Sequence, residues 1–185
     1  MKKGLCLSVA LACVFFADTA FAGKIGFIND PELARKSTAL QGLQMQREKM
    51  LGILKADLDK EAGKILEQKQ KLEEEKTELS NEELGKRLDS IGREERDLQQ
   101  RAQNAAAELQ KNFVEAALSF KEKAINPVVL ELAKEKNFDA VMNAADAFYV
   151  DEELNVTDEA IKRVNKKMPK LDLKKVSLEK TKKSK

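Results

Sequence analysis

LEEEKTELSNEELGKRLDSI, residues 72–91, contains the decision about the fold. Leu72 and Leu79 end a series with an apolar residue every seven places, preceded by Leu51, Leu58 and Ile65. The interval resumes in Leu84, Ile91, Leu98 and Ala105, and a second series runs through Leu88, Ala102, Leu109 and Ala116 with Glu95 as a defect. Apolar heptads among Lys, Glu, Gln and Arg are the pattern of a coiled coil. Between the two runs, Ser80-Asn81-Glu82-Glu83 matches a capping box, in which the Ser hydroxyl accepts from the third helical N–H and the Glu reaches back. One helix therefore ends near Leu79 and a second begins near Asn81, which makes a hairpin and not a rod.

The length of each helix decides what kind of hairpin it is. A helix from Pro31 to Leu79 would be roughly 70 Å long at about 1.5 Å per residue. A compact domain of this size has a radius of gyration near ~15 Å, so the hairpin must project from the body as an arm. Along its outward helix Leu33, Leu40 and Leu54 keep register, with Arg47 interrupting, and then the second seam position decays to Glu61, Gln68 and Glu75. The tip is thinly packed and expected to be the more mobile end. On the return, Ala105-Ala106-Ala107 and then Phe113 and Phe120 thicken the helix towards the body.

Outward from the arm, both ends supply short strands. Lys24-Ile25-Gly26-Phe27-Ile28-Asn29 reads as one, and Asp30-Pro31 as the helix start after it, with Asp30 as cap and Pro31 at the first position. Asn126-Pro127 kinks or restarts the returning helix, which runs on to Lys136 with Asn137 as a left-handed cap. Phe138 to Met142 and Ala147 to Val150 read as a strand hairpin around Asn143 to Asp146. Thr157-Asp158-Glu159 opens a short helix striped by Ile161, Val164 and Met168 and ended by Pro169. Residues 170–185 carry seven Lys against Asp172 and Glu179 and are expected to be disordered. Three short strands leave open edges and too little core for an isolated domain, a fault that oligomerisation with strands joined between subunits would cure.

The first 22 residues read as a leader: Lys2 and Lys3, an apolar run from Leu5 to Phe16 too short to span a membrane, and a small-x-small site at Ala20-Phe21-Ala22. Cys13 within Ala10-Leu11-Ala12-Cys13 offers a lipoprotein reading, but the apolar run continues through Phe16, and cleavage after Ala22 is expected. Both cysteines lie in that leader, so the mature chain carries no thiol, and there is no His anywhere. The net charge is +2, or +1 once Lys2, Lys3 and Asp18 are removed. The expected domains are residues 1–22 as signal peptide, 31–125 as coiled-coil arm, 23–30 with 126–169 as oligomerising body, and 170–185 as basic tail.

No constellation supports catalysis, so no enzyme, no catalytic residue, no cofactor and no metal site is expected. Without His or Cys, the carboxylates remain, scattered over helix surfaces. Glu73-Glu74-Glu75 is a solvated face, since consecutive helical residues point in different directions. No P-loop or Gly-x-Gly-x-x-Gly pattern indicates nucleotide. The basic tail lacks interleaved aromatics, and nucleic acid is not an expected partner; weak contact with anionic membrane is the more natural use of such a tail. Leu43, Met45, Met50, Ile53 and Leu66 fall off the seam. They either pack against a neighbouring arm or stand singly exposed, or they line a wall that accepts unfolded chains, a task to which flexible Met and Leu are suited.

Taken together, the leader, the Lys-Ile-Gly-Phe-Ile strand, the charged helical hairpin, Phe138-Asp139-Ala140-Val141, Ala147-Phe148-Tyr149-Val150 and the segment Asn155 to Asn165 resemble the Skp/OmpH periplasmic chaperones. The resemblance covers nearly the whole mature chain and is most specific in its C-terminal forty residues. It implies an α+β, mostly α fold: a jellyfish-like homotrimer whose strands form a small β-barrel and whose three arms surround a cavity. It further implies an ATP-independent periplasmic holdase that binds unfolded outer-membrane β-barrel proteins, prevents their aggregation and delivers them to the outer membrane. Ile25, Phe27, Phe138, Val141, Phe148 and Val150 would then join subunits, and the off-seam residues would meet the client. One departure is the arm tip: residues 67–87 carry seven Glu against five Lys and Arg, where the family is often basic. The alternative reading is a structural coiled-coil spacer of the cell envelope, which would want a filled seam along its whole length.

Overall fold

In the computed structural model residues 23–178 are described; the expected leader, and the tail beyond residue 178, lie outside them. The order of elements is β1 (Ile25–Ile28), α1 (Asp30–Lys36), α2 (Thr38–Glu75), α3 (Asn81–Phe120), α4 (Asn126–Lys136), β2 (Ala140–Asn143) and α5 (Thr157–Lys167). Helices α2 and α3 form the antiparallel arm. With 38 and 40 residues, each is about 60 Å long.

The turn at the tip forms as its sequence dictates. Ser80 accepts from the N–H of Glu83, and the Glu83 carboxylate accepts from the N–H of Ser80, which closes the capping box. Ser80 Oγ also donates to that carboxylate, and these hydrogen bonds hold Glu83 below its usual pKa. Behind the tip Ile65, Leu72, Ile91 and Leu98 make the seam, flanked by half-buried Leu58, Leu79 and Leu84. The charged seam positions find partners across the hairpin. Glu75 pairs with Arg87, Glu95 with Lys69 at 2.5 Å, and Glu61 with Arg101 at 2.5 Å. Two heptad positions, Leu51 and Leu88, are exposed. A straight α-helix drifts by about 20° per heptad against a strict seven-residue repeat, so at the base of the arm Leu54 and Leu43 take the seam that Leu51 leaves.

At its base the outward helix is broken. Ser37, in an extended conformation, ends α1 and caps α2, its side chain accepting from the Leu40 N–H. The heptads hide this break because Leu33 and Leu40 continue the spacing across it. Asn29, rather than Asp30, caps α1, accepting from the Glu32 N–H. On the return, Lys121–Ile125 winds as a π-helix, with the Asn126 N–H reaching back to the Lys121 carbonyl. Pro127 has no N–H to give the ladder, and the wider turn ahead of it lets the helix continue instead of breaking. Asn137 ends α4 with φ 53° and ψ 47°, the left-handed cap.

The body core gathers Ile28, Leu33, Ala39, Phe120, Ala124, Val128 and Leu132 with Phe138, Val156, Ala160, Ile161 and Val164. Its sheet is parallel: Ile25, Gly26, Phe27 and Ile28 face Ala140, Val141, Met142 and Asn143. Parallel strands need a long crossover, and here the entire arm is that crossover. The expected hairpin between Phe138 to Met142 and Ala147 to Val150 does not form. Asn143 accepts from the Ala145 N–H, a 3-10 turn follows at Ala144–Asp146, and Ala147 to Val150 stays irregular. The other side of β1 is taken by a loop, since Phe27 donates to the Leu154 carbonyl at 2.8 Å and accepts from the Val156 N–H at 2.9 Å. Of the two strands, β1 is thus paired on both sides, and β2 keeps an open edge.

Residues 170–178 are not a loose tail. Leu173, Val176 and Leu178 are buried against the arm. The expected disorder was inferred from the lysines; the apolar residues between them are what the arm holds.

Candidate functional site

Two surfaces can bind something: the flanks of the arm and the open side of the body. On the arm the off-seam residues divide. Leu43 is 0% exposed and packs in the cluster at the arm's base, under residues 171–178, so it is not part of the open surface of the arm. Met50 is half-buried against the same cluster. Met45, Ile53 and Leu66 are exposed, Leu66 to 57%. Leu66 borders an open recess of about 540 Å³ whose apolar walls are Leu58, Ala62, Ile65, Leu98 and Ala102. Lys69 and Glu95, paired with each other, stand at its edge.

Exposed Leu51, Leu88, Val114, Leu118 and Leu130 extend the apolar inventory. The sequence reading missed them because it assigned Leu51 and Leu88 to the seam and weighed only the outward helix for off-seam residues. Val114 and Leu118, four apart on α3 and both exposed, were legible as a helical stripe about 100° round from Phe113 and Ala117.

On the body, Phe138 is buried against Gly26, where an added Cβ would lie 2.4 Å from the ring, and the Lys24 ammonium sits 5.1 Å from the ring centre. Ile25 and Phe27 lie in β1 opposite Ala140 and Met142, and half-buried Val141 lies in β2 opposite Gly26. Phe148 is fully exposed, Tyr149 and Met142 are exposed, and Val150 is half-buried. The structure therefore places Phe138 and Val141 on the core side of the sheet, Ile25 and Phe27 on its other face, and Phe148 and Val150 on the irregular segment after β2. Open apolar side chains next to an open strand edge are what a subunit contact requires.

A third feature was invisible in the sequence. Arg101 is 5% exposed, yet donates to Glu61 at 2.5 Å, to Asp97 at 2.9 Å and to the Leu178 carbonyl at 2.8 Å. Its hydrogen bond to Glu61, and then that to Asp97, raise its pKa against the opposing effect of burial. Nearer the arm's base Arg47 stacks on Phe113 at 5.0 Å, so the interruption of the heptad is filled by a cation over an aromatic face.

Among the described residues no cluster of acidic side chains could hold a metal, no buried side-chain nitrogen or oxygen lacks a partner, and no helix is long and apolar enough to cross a membrane.

Residues 24–164 match the family model described as outer membrane protein (OmpH-like). Among solved structures, the chain is similar to one from Caulobacter crescentus CB15 assigned as an outer membrane chaperone (OmpH-like). The TM-score is 0.77 at 12% identity, over 98% of this chain and 100% of that one, a likeness of fold. No curated protein matches it by sequence.

Proposed function

Because the chain belongs to the OmpH-like family of outer membrane proteins, we propose that it is an ATP-independent periplasmic holdase for unfolded outer-membrane β-barrel proteins. The observation that carries this reading is the exposed apolar set on the arm. Met45, Ile53, Leu66, Leu88 and Leu118 stand among charged neighbours along two helices of about 60 Å. Singly exposed apolar residues are ordinary, but here they recur along a projecting arm with an apolar recess between them. Such a surface holds chains without demanding one sequence. Binding the unfolded state lowers its free concentration and so opposes aggregation by mass action, with no need for nucleotide.

In this reading the chain acts as a homotrimer. The open edge of β2, with Met142, Phe148 and Tyr149 exposed around it, is the contact, and three arms enclose the client. The leader places the protein in the periplasm, and the lysines of the tail give weak contact with anionic membrane.

Sedimentation equilibrium of the mature chain, alone and with a urea-unfolded outer-membrane β-barrel diluted into buffer without nucleotide, tests the reading. A trimer that keeps the barrel soluble in a discrete complex is expected. A stable oligomer that ignores the barrel would make the protein an envelope spacer instead.

A further inference from the structure

Residues 169–178 form a strap along the arm. Thr38 Oγ1 donates to the Pro169 carbonyl at one end, and Arg101, itself held by Glu61, donates to the Leu178 carbonyl at the other. Thr38 and Glu61 are separated by roughly 35 Å of helix at about 1.5 Å per residue. Nine residues span about 30 Å at ~3.3 Å each, and the reach of the Thr38 and Arg101 side chains makes up the remainder, so the strap is close to fully extended. Its side chains alternate within two apolar pairs, and the register shifts between them, where Lys174 and Lys175 are both exposed. Leu171 and Leu173, and further on Val176 and Leu178, turn to the seam residues Leu43, Leu54, Ala105 and Leu109, while Asp172, Lys174, Lys175 and Ser177 are exposed.

The polar contacts read the strap's backbone, not its sequence. The Gln46 side-chain amide donates to the Leu171 carbonyl at 2.7 Å and accepts from the Leu173 N–H at 2.9 Å. Those are the two groups that a neighbouring strand would engage. Arg101 likewise takes a carbonyl. Only the Lys174–Glu115 pair, at 3.3 Å, is specific to the strap's side chains, and both partners are largely exposed, so it contributes little. Main-chain hydrogen bonds combined with pockets for alternate side chains are the recognition mode of β-strand addition.

We propose that this groove at the base of the arm is a binding site for extended polypeptide carrying pairs of apolar residues two apart, as Leu171 with Leu173 and Val176 with Leu178, occupied at rest by the strap. A strand segment of an unfolded β-barrel, which offers apolar residues two apart, displaces it; this choice of partner rests on the holdase reading, whereas the site does not. Departure of the strap leaves Arg101 paired with Glu61 and Asp97, so no buried charge is stranded. What opening costs is the exposure of the apolar groove.

The test uses the full mature chain. Both natural cysteines lie in the leader, so a nitroxide on Lys175→Cys, an exposed strap position, reports the strap alone. The probes are a synthetic peptide copying residues 170–178, alternating within its two apolar pairs (the alternating peptide), and an isomer of the same composition with its apolar residues contiguous. The label is expected to be immobile in the parent chain and mobile in Leu173→Asp/Val176→Asp. That variant is expected to bind the alternating peptide at least about tenfold more tightly than the parent, since a docked strap reduces apparent affinity by the fraction of open sites, and to ignore the isomer. Equal binding of the two peptides, or equal affinity in parent and variant, overturns the site. If the variant loses far-UV helicity, the parent decides: millimolar alternating peptide must mobilise its label, and a label that stays immobile overturns the site. Titration with a urea-unfolded β-barrel then separates the two readings. A barrel held in solution while the label stays immobile overturns the proposed partner. A strap that exchanges with peptide in a chain that cannot hold the barrel refutes the holdase and leaves the groove standing.

Discussion

The Arg101 guanidinium donates to the Leu178 carbonyl across 2.8 Å, joining the middle of the returning helix to the far end of the strap. The same guanidinium joins α3 to α2 through Glu61. One buried cation therefore links three segments far apart in sequence, with its fork of donors divided among them.

Arg101→Ala is accordingly expected to lower unfolding free energy by about 1–2 kcal/mol, discounted because Glu61 stays partly in water. Arg101→Lys is expected to recover only part of that, because an ammonium cannot serve three directions from one plane. Urea unfolding followed by far-UV circular dichroism measures the loss. Amide exchange at Leu173 should quicken in both variants, and unchanged exchange there would disconnect Arg101 from the strap.

Gly26 is needed where Phe138 crosses β1, since a Cβ would approach the ring to 2.4 Å. Gly26→Ala is expected to cost about 1–3 kcal/mol through overpacking. The exposed arm lies away from this contact, so the body should lose stability while helix content changes little. Thermal melts and exchange of the Phe27 N–H check this.

Leu43 and Leu66 separate packing from binding. Leu43→Ala removes a side chain that is 0% exposed and should cost about 2–5 kcal/mol. Leu66→Ser, alone or with Met45→Ser and Ile53→Ser, should leave the melting curve within about 0.5 kcal/mol. The triple substitution should weaken suppression of β-barrel aggregation, followed by light scattering. Undiminished suppression would remove these three residues from the client surface.

Acid should loosen the body at α5. Arg163 donates to Glu135 and to Glu159, and Lys136 also pairs with Glu159. The Arg163 hydrogen bonds lower the pKa of Glu135, and those of Lys136 and then Arg163 lower that of Glu159, from an ordinary 4.5. A carboxylate whose folded pKa lies below its unfolded value adds stability above the unfolded value and loses it as pH falls through the folded one. The loss is therefore expected below pH 4.5. Arg163→Gln should flatten the pH dependence of stability in that window; an unchanged slope would mean that other carboxylates carry it.

In the proposed trimer, Phe148→Asp should separate the subunits while the helices of the arm persist. Sedimentation velocity beside circular dichroism measures both. A fully assembled Phe148→Asp protein would move the contact away from the irregular segment.

Local rules determined much of this protein before any packing was known. The heptads and the Ser80 capping box make an arm and place its turn, because spacing and caps act within a few residues. Asn137 likewise required only its own left-handed conformation, and the stripe of α5 only its period. Tertiary structure decided the rest. Whether Leu43 is core or Leu88 is exposed depends on how two straight helices drift past each other. The partner of β2 is β1, supplied from the other side of the arm, while the 3-10 turn at Ala144–Asp146 leaves Ala147 to Val150 irregular although its composition suits a strand. The pairs Leu171 with Leu173 and Val176 with Leu178 were present among the lysines, but such spacing says only that one side of each pair is apolar. What that side meets is a groove assembled from α2 and α3, with Gln46 and Arg101 in place for the backbone, and such a surface exists only once the hairpin has closed.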